Sequence, residues 1–324
     1  VLPGSWDHVV ALAGNPNTGK STVFNALTGL RQHTGNWPGK TVSRAEGTFR
    51  HAGKSINVVD LPGTYSLQAA SADEEVARDF LLFGRPDVTV IVIDATRLER
   101  NLNLTLQVLE ITDRVVVVLN LMDEARRHGI GVSPEALSRE LGVPVIPAAA
   151  RPGTGIAALR EAIVQVATGA VQPRPRRLRE LPPVIESAIS DVLPAVDAAW
   201  PGQPNRRWVA LRLLSGDERV LQAVPSGELA EKDTATRRRR PAAFHDSLSS
   251  ALFAEAEQIA LASEVAGLRR MRVDLDKHLD RLLTSPWTGI PLMVILLALV
   301  FWLTIAGANV PSSMLAALLI DGVH

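Results

Sequence analysis

Gly14-Asn15-Pro16-Asn17-Thr18-Gly19-Lys20-Ser21 fits the phosphate-loop pattern G-x-x-x-x-G-K-[ST]. The chemistry explains the residue types. Two glycines let the backbone turn tightly and bring a row of N–H donors close to phosphate oxygens. Lys20 places a point charge near the β- and γ-phosphates, and Ser21 offers a hydroxyl to Mg²⁺. The phosphate-binding set is therefore Gly14 to Ser21 together with Thr22. A loop of this kind does not separate GTP from ATP.

Three further stretches could complete the site. The first is the Gly/Asn/Pro-rich segment within residues 31–48, which reads as a loop. Here Gly39, Lys40, Thr41, Val42 and Ser43 are the candidate nucleotide contacts, with Thr41 able to ligate Mg²⁺ by its hydroxyl and meet the γ-phosphate by its N–H. The second is Asp60-Leu61-Pro62-Gly63, a D-x-x-G at the end of an apolar strand. Asp60 can hold Mg²⁺ through water, and the Gly63 N–H can sense the γ-phosphate. Lys20, Thr41 and Gly63 are thus the catalytic candidates.

The third stretch, Asn120-Leu121-Met122-Asp123, selects the base. A carboxylate at Asp123 can accept two N–H bonds from guanine N1 and N2. Adenine lacks that donor pair and would leave the carboxylate unpaired, at a cost of about 2–5 kcal/mol. Asn120 would brace the neighbouring loops. The competing reading is a helix cap at Asp123. Further on, Ala149-Ala150-Arg151 stands where guanine-binding proteins usually carry Ser-Ala. Ala149 takes the place of the Ser, and the Ala150 N–H is the expected donor to guanine O6.

The elements that must position these residues follow from hydrophobic pattern. Residues 8–13, 56–59, 87–94, 115–119 and 143–147 read as strands, and β-branched runs without alternation suit a parallel sheet covered on both faces. Residues 41–50 and 54–59 read as a hairpin turning at His51-Ala52-Gly53. Helices are expected at 21–27, 98–111 and 156–166. The result is an α/β, doubly wound, mostly parallel sheet with all the motifs at the strands' C-terminal ends, the P-loop GTPase fold class.

Domain boundaries follow composition. Residues 1–170 form the nucleotide domain, and the Pro/Arg-rich 171–180 a linker. Residues 181–285 form an all-α domain, with helices at 184–200, 207–214, 217–224 and 242–266. Residues 286–324 begin a membrane part. No charge occurs from Leu282 through Ile320, and about 290–308 is long and apolar enough for a transmembrane helix. Trp287 and Trp302 suit the two interfaces. Arg269, Arg270, Arg272 and Arg281 flank the span, which puts the nucleotide domain in the cytoplasm. Arg237 to Arg240 reads as a solvated loop near anionic lipid rather than a nucleic-acid site, because the formal net charge is zero. Zero cysteines exclude disulfides and thiolate metal sites. No secretory signal is visible, and a first residue of Val reads as a fragment or trimmed chain.

The combination resembles the bacterial ferrous-iron transporter FeoB family. The carrying residues are Gly14 to Ser21, Gly35-Asn36-Trp37-Pro38-Gly39-Lys40-Thr41-Val42, Asp60-Leu61-Pro62-Gly63-Thr64-Tyr65-Ser66-Leu67 and Asn120 to Asp123, with looser likeness at Arg207 to Leu214 and Leu279 to Pro291. The resemblance implies a slow, K⁺-activated GTPase with Asn17 as K⁺ ligand beside the phosphates. It also implies a helical domain that restrains nucleotide release, and an Fe²⁺ permease in the bacterial cytoplasmic membrane. Thr64 stands where other GTPases place a water-orienting Gln, so backbone groups of residues 36–41 are expected to orient the water. The implied cofactors are Mg²⁺ and K⁺. The partners are GTP/GDP, the bilayer and the rest of the permease, without nucleic acid; homo-oligomerisation is left open. Since the family's permease residues lie in later helices, this stretch alone is not expected to move iron. Two other readings share the motifs: a ribosome- or tRNA-associated GTPase, and a membrane-tethered GTP/GDP sensor without useful turnover.

Overall fold

The structure is a computed structural model. It describes residues 6–29, 32–37, 41–67, 71–178, 181–201, 205–215, 244–265 and 289–304. The chain divides into two compact units, 1–265 and 266–324.

The first unit is built on a seven-stranded sheet. Its strands are β1 (His8–Gly14), β2 (Gln32–Asn36), β3 (Ser43–His51), β4 (Lys54–Asp60), β5 (Val88–Asp94), β6 (Val115–Asn120) and β7 (Val145–Pro147), in the order β2-β3-β4-β1-β5-β6-β7. β1, β4, β5, β6 and β7 are parallel, while β2 and β3 run antiparallel at one edge. All seven residues of β5 and all six of β6 are buried, as strands covered on both faces must be.

The period-2 alternation is legible in the core. Val10, Leu12, Val58, Val90, Val92, Val116 and Val118 face one layer with Phe24 and Leu27 of α1 (Lys20–Thr28), and Leu159 and Ile163 of α6 (Ile156–Ala167). Ala11, Ala13, Val59, Ile91, Ile93, Val117 and Leu119 face the other. That second layer holds α2 (Ala72–Phe83), α3 (Leu98–Ile111) and α5 (Pro134–Leu141); the short α4 (Met122–Arg127) follows β6.

One expectation fails here: residues 32–36 are a strand rather than a loop. Its residues carry no apolar alternation, and the strand exists because β3 offers a free edge, with Gln32 opposite Gly47 and Asn36 opposite Ser43. The β3–β4 hairpin turns through Ala52 (φ 48°) and Gly53 (φ 75°), the left-handed pair that a two-residue turn matched to strand twist requires.

Among the described residues, the helical region of this unit holds α7 (Pro183–Ala199), α8 (Arg206–Ser215) and α9 (Phe244–Ser263). α9 packs back on α3 and α5, and its end is tied to the loop before α5 by Ser133 N–H to Ser263 O (2.8 Å) and Val265 N–H to Gly131 O (3.0 Å). Residues 171–178 run extended along the nucleotide domain. Arg174 N–H reaches Gly142 O and Arg176 N–H reaches Leu141 O, both at 2.9 Å. A Cβ on Gly142 would collide with Arg174 O, so the close approach needs glycine there. The expected helix at 217–224 and the run Arg237 to Arg240 lie outside the described residues.

In the second unit, residues 289–304 are helical and expose Ile290, Val294, Leu297, Phe301 and Trp302 among others. Among the described residues no helix is long and apolar enough to cross a membrane. Residues 305–308 of the expected span, Trp287 and the flanking arginines lie outside the described residues.

Candidate nucleotide site

β1 ends at Gly14 and the chain turns directly into α1. A Cβ on Gly14 would sit 2.6 Å from Val92 O, so the loop passes too close to β5 for any side chain. Asn17 (φ 66°) and Gly19 (φ 79°) take left-handed conformations that curl the loop. Thr18, buried, closes it by donating Oγ–H to Asn15 O (2.9 Å). α1 starts at Gly19 with no side-chain cap and no acidic residue in its first turn. Its first N–H groups and positive dipole end are thus left for an anion. Ser21 and Thr22 are exposed at that end.

Lys20 lies against Asp60, its ammonium donating to Asp60 Oδ1 across the floor of the site. Burial pushes the Asp60 carboxyl above the ordinary range, and the Lys20 charge only partly offsets this. Leu61 N–H donates to Leu12 O (2.9 Å) and Thr64 N–H to Gly14 O (3.3 Å), which lays the D-x-x-G arm along the phosphate loop. Gly63 touches Pro16, where a Cβ would come 3.4 Å from Pro16 Cα. A cavity of about 590 Å³ opens here, walled by Lys20, Asp60 to Gly63, Val42 to Ala45, Thr34 to Asn36 and Asp73.

Val42 and Ser43 line this cavity as expected; Thr41 is exposed and does not. Gly39 and Lys40 lie outside the described residues. Trp37 explains why the segment stands where it does. Its N–H bonds Val42 O (2.9 Å), its ring meets Phe80 of α2 edge-on at 5.4 Å, and Arg44 covers it at 4.9 Å. Thr34 and Asp73 of the cavity wall are absent from the motif-based set, which held Asn36 only through the 36–41 backbone expected to orient the water. A capping signature was available for α2, whose Ser71 accepts Glu74 N–H (3.2 Å) in an S-x-x-E pattern.

The base side is assembled around Asn120, which is 1% exposed. Its Nδ2 donates to Thr18 O (2.9 Å), and its Oδ1 accepts the Ala150 N–H (3.0 Å). One amide thereby fastens the phosphate loop to the loop after β7. A Cβ on Gly19 would strike Asn120 Nδ2. The expected donation by Ala150 to guanine O6 meets a competitor, since that N–H is already given to Asn120, and the Ala149 N–H goes to Thr154 O (3.1 Å). Arg151, the next residue, is exposed beside them. Leu121, in left-handed conformation (φ 60°), is the cap residue of α4, and the Met122 N–H bonds Ala148 O (3.1 Å). Asp123 therefore does not cap the helix. It stands in the first turn, half exposed, with Arg127 3.7 Å away.

A second cleft of about 470 Å³ lies at the opposite end of β5 and β6, bordered by Arg85, Asp87, Asp113, Arg114, Arg177 and Trp200. Its charges largely answer one another: Arg177 pairs with Asp113, and Arg114 approaches Asp87 at 3.9 Å. It lies far from the phosphate loop along the strands. Among the described residues no group of three or more His, Cys, Asp or Glu side chains could hold a metal by itself. That is compatible with a site where two side chains share an ion with phosphate oxygens.

A capless helix start behind a glycine-rich loop, a D-x-x-G arm laid along it and an N-x-x-D strand end bolted to it define a P-loop G domain, here followed by an all-α domain. The chain belongs to the ferrous iron transport protein B (FeoB) family. The profile described as "Ferrous iron transport protein B" matches residues 8–163, and that described as "FeoB cytosolic helical domain" matches residues 182–262. The Fe(2+) transporter FeoB of Shigella flexneri is 35% identical over 302 residues, which cover 91% of this chain and 38% of that protein. The cytosolic domain of L. pneumophila FeoB superposes with a TM-score of 0.70 at 33% identity, over 79% of this chain and 99% of its own. A mutant of S. thermophilus NFeoB bound to mGDP gives a TM-score of 0.71 at 32% identity, over 79% and 99%. This chain thus spans less than half the length of the curated relatives it matches.

Proposed function

We propose that this chain binds guanine nucleotides and hydrolyses GTP, as the cytoplasmic module of a bacterial Fe²⁺ transporter. The observation that carries the reading is the double hydrogen bond of Asn120, which ties the start of the N-x-x-D turn to the phosphate loop and to the loop after β7, and so supports a base site at Asp123 beside the phosphate loop. Iron enters through the relatives named Fe(2+) transporters. Transport belongs to their full length, of which this chain spans 38%. The exposed apolar side chains of residues 289–304 support attachment to the cytoplasmic membrane.

Mg²⁺ fits the residues present: a carboxylate at Asp60, disfavoured by burial, and an exposed hydroxyl at Ser21 at the helix start. When bound, Mg²⁺ would neutralise charge developing on the phosphates. Lys20, which here lies against Asp60, would be freed for the β- and γ-phosphates where a divalent cation took that carboxylate, because the two cations compete for it. The first N–H groups of α1 hold the phosphates, and Gly63 brings its N–H to the γ-phosphate. Thr41, exposed here, would reach the ion only by moving inward. Asn17, exposed and left-handed at the loop crest, is the K⁺ candidate.

The test is nucleotide preference. Asp123→Asn should move affinity from guanine to xanthine nucleotides by about tenfold or more, measured with fluorescent diphosphates; unchanged GTP affinity would remove Asp123 from the base site. Comparing turnover in KCl and NaCl then separates a K⁺-activated GTPase from a sensor, for which both rates stay negligible.

A further inference from the structure

The arm from Asp60 to Leu67 is held by backbone at three points. Leu61 N–H bonds Leu12 O at 2.9 Å, Thr64 N–H bonds Gly14 O at 3.3 Å, and Leu67 N–H bonds Gln107 Oε1 at 2.9 Å. The middle contact is the longest, close to the limit of a hydrogen bond, and it is the one beside Gly63. Leu61, Thr64 and Leu67 are buried, whereas Tyr65 is 44% exposed. Its ring is therefore not held in place by the core. What it does meet is Arg100 of α3, whose guanidinium lies 4.3 Å over the ring centroid. Among the described residues, that ring is the only partner of the Arg100 guanidinium. The carbonyl of Arg100 also accepts a hydrogen bond from Asn15 Nδ2 of the phosphate loop (3.4 Å). One residue thus touches both the phosphate loop, through its backbone, and the D-x-x-G arm, through its charge.

Resting on the GTP-hydrolysis reading above, we propose that Arg100 and Tyr65 are a positioning pair that holds the Gly63–Thr64 backbone against the phosphate loop for hydrolysis. Neither side chain is a catalytic residue. Arg100 pulls the ring toward α3, and the ring carries the peptide that follows Gly63, reinforcing the weak Thr64 contact. A cation over an aromatic face needs the ring and the charge, and not the phenol hydroxyl.

The experiment measures GTP hydrolysis by the 324-residue chain, with mant-GDP affinity and melting temperature alongside. Tyr65→Leu and Arg100→Ala should each lower kcat by about two- to fivefold, the range set by an exposed cation–π contact. The double variant should be no slower than either single one. KM, mant-GDP affinity and melting temperature should stay near wild type, and Tyr65→Phe and Arg100→Lys should recover most of kcat. Additive losses, a Tyr65→Phe variant as slow as Tyr65→Leu, or a loss confined to KM would overturn the pair. A wild-type chain that binds GTP without turnover would instead overturn the hydrolysis reading on which the pair rests.

Discussion

Both ends of the Asn120 amide are committed, one to Thr18 O and one to the Ala150 N–H, in a place solvent does not reach. Removing the side chain strands a buried acceptor and a buried donor together. Asn120→Ala should therefore cost about 2–4 kcal/mol of stability, read by denaturant unfolding, and weaken GDP binding in the same variant. If binding falls while stability holds, the amide serves the base and not the scaffold. At this scale the motifs were legible wherever spacing along the chain fixes spacing in space. Lys20, Asp60 and Asn120 all stand at strand or helix ends and all converge. Thr41 did not follow, because the position of a loop residue depends on what anchors the loop, and Trp37 anchors this one on α2. Tyr65 stands in the Asp60 to Leu67 run that carries the resemblance, but nothing in the sequence pairs it with Arg100; only the fold joins them.

At the scale of elements, β2 and β3 form a hairpin whose approach to the site depends on an aromatic contact. Trp37→Ala removes the edge-on packing on Phe80 and the cover from Arg44. Amides of β2 should then exchange faster, as expected for a local opening free energy lower by about 1–2 kcal/mol. Hydrogen exchange resolved to peptides covering residues 32–43 checks this, with β5 and β6 amides as the unaffected reference. The parallel strands could be read directly, since Val90 to Ile93 and Val115 to Leu119 are apolar for the simple reason that both faces are covered. β2 could not, because its strand character comes from pairing with β3 and not from its own side chains. α7 and α8 matched their apolar patterns to within a residue or two, and Pro194 within α7 did not end that helix.

Over the whole molecule, the nucleotide and helical domains meet around a buried carboxylate. Glu110 of α3 accepts Leu178 N–H (2.7 Å), with Arg207 Nε 4.0 Å away and Arg177 and Glu255 in the same surroundings. Burial raises its pKa above the ordinary 4.5, and the hydrogen bond and the arginines only partly offset it. A raised native pKa means the folded state holds the proton longer than the unfolded one. Stability from this group is thus full below about 4.5 and declines as pH rises through the raised value. Glu186 has the opposite sign: its two bonds to Arg207 lower its pKa, so its contribution is present above 4.5 and fades in acid. Glu110→Gln should abolish the decline on the alkaline side of 4.5, visible as a flatter profile in urea unfolding between pH 4.5 and 7. An unchanged profile would show that the carboxyl titrates equally in both states.

The extended run from 171 to 178 has a consequence of another kind. It is sewn to α5 and α3 through Gly142, Leu141 and Glu110, while α9 returns to clasp the same domain from beyond the bundle. The covalent thread between the two halves is therefore not what keeps them together. A single nick in it would leave both pieces travelling as one particle, and a shift of α3 on the nucleotide side would reach the bundle through the helices packed on it.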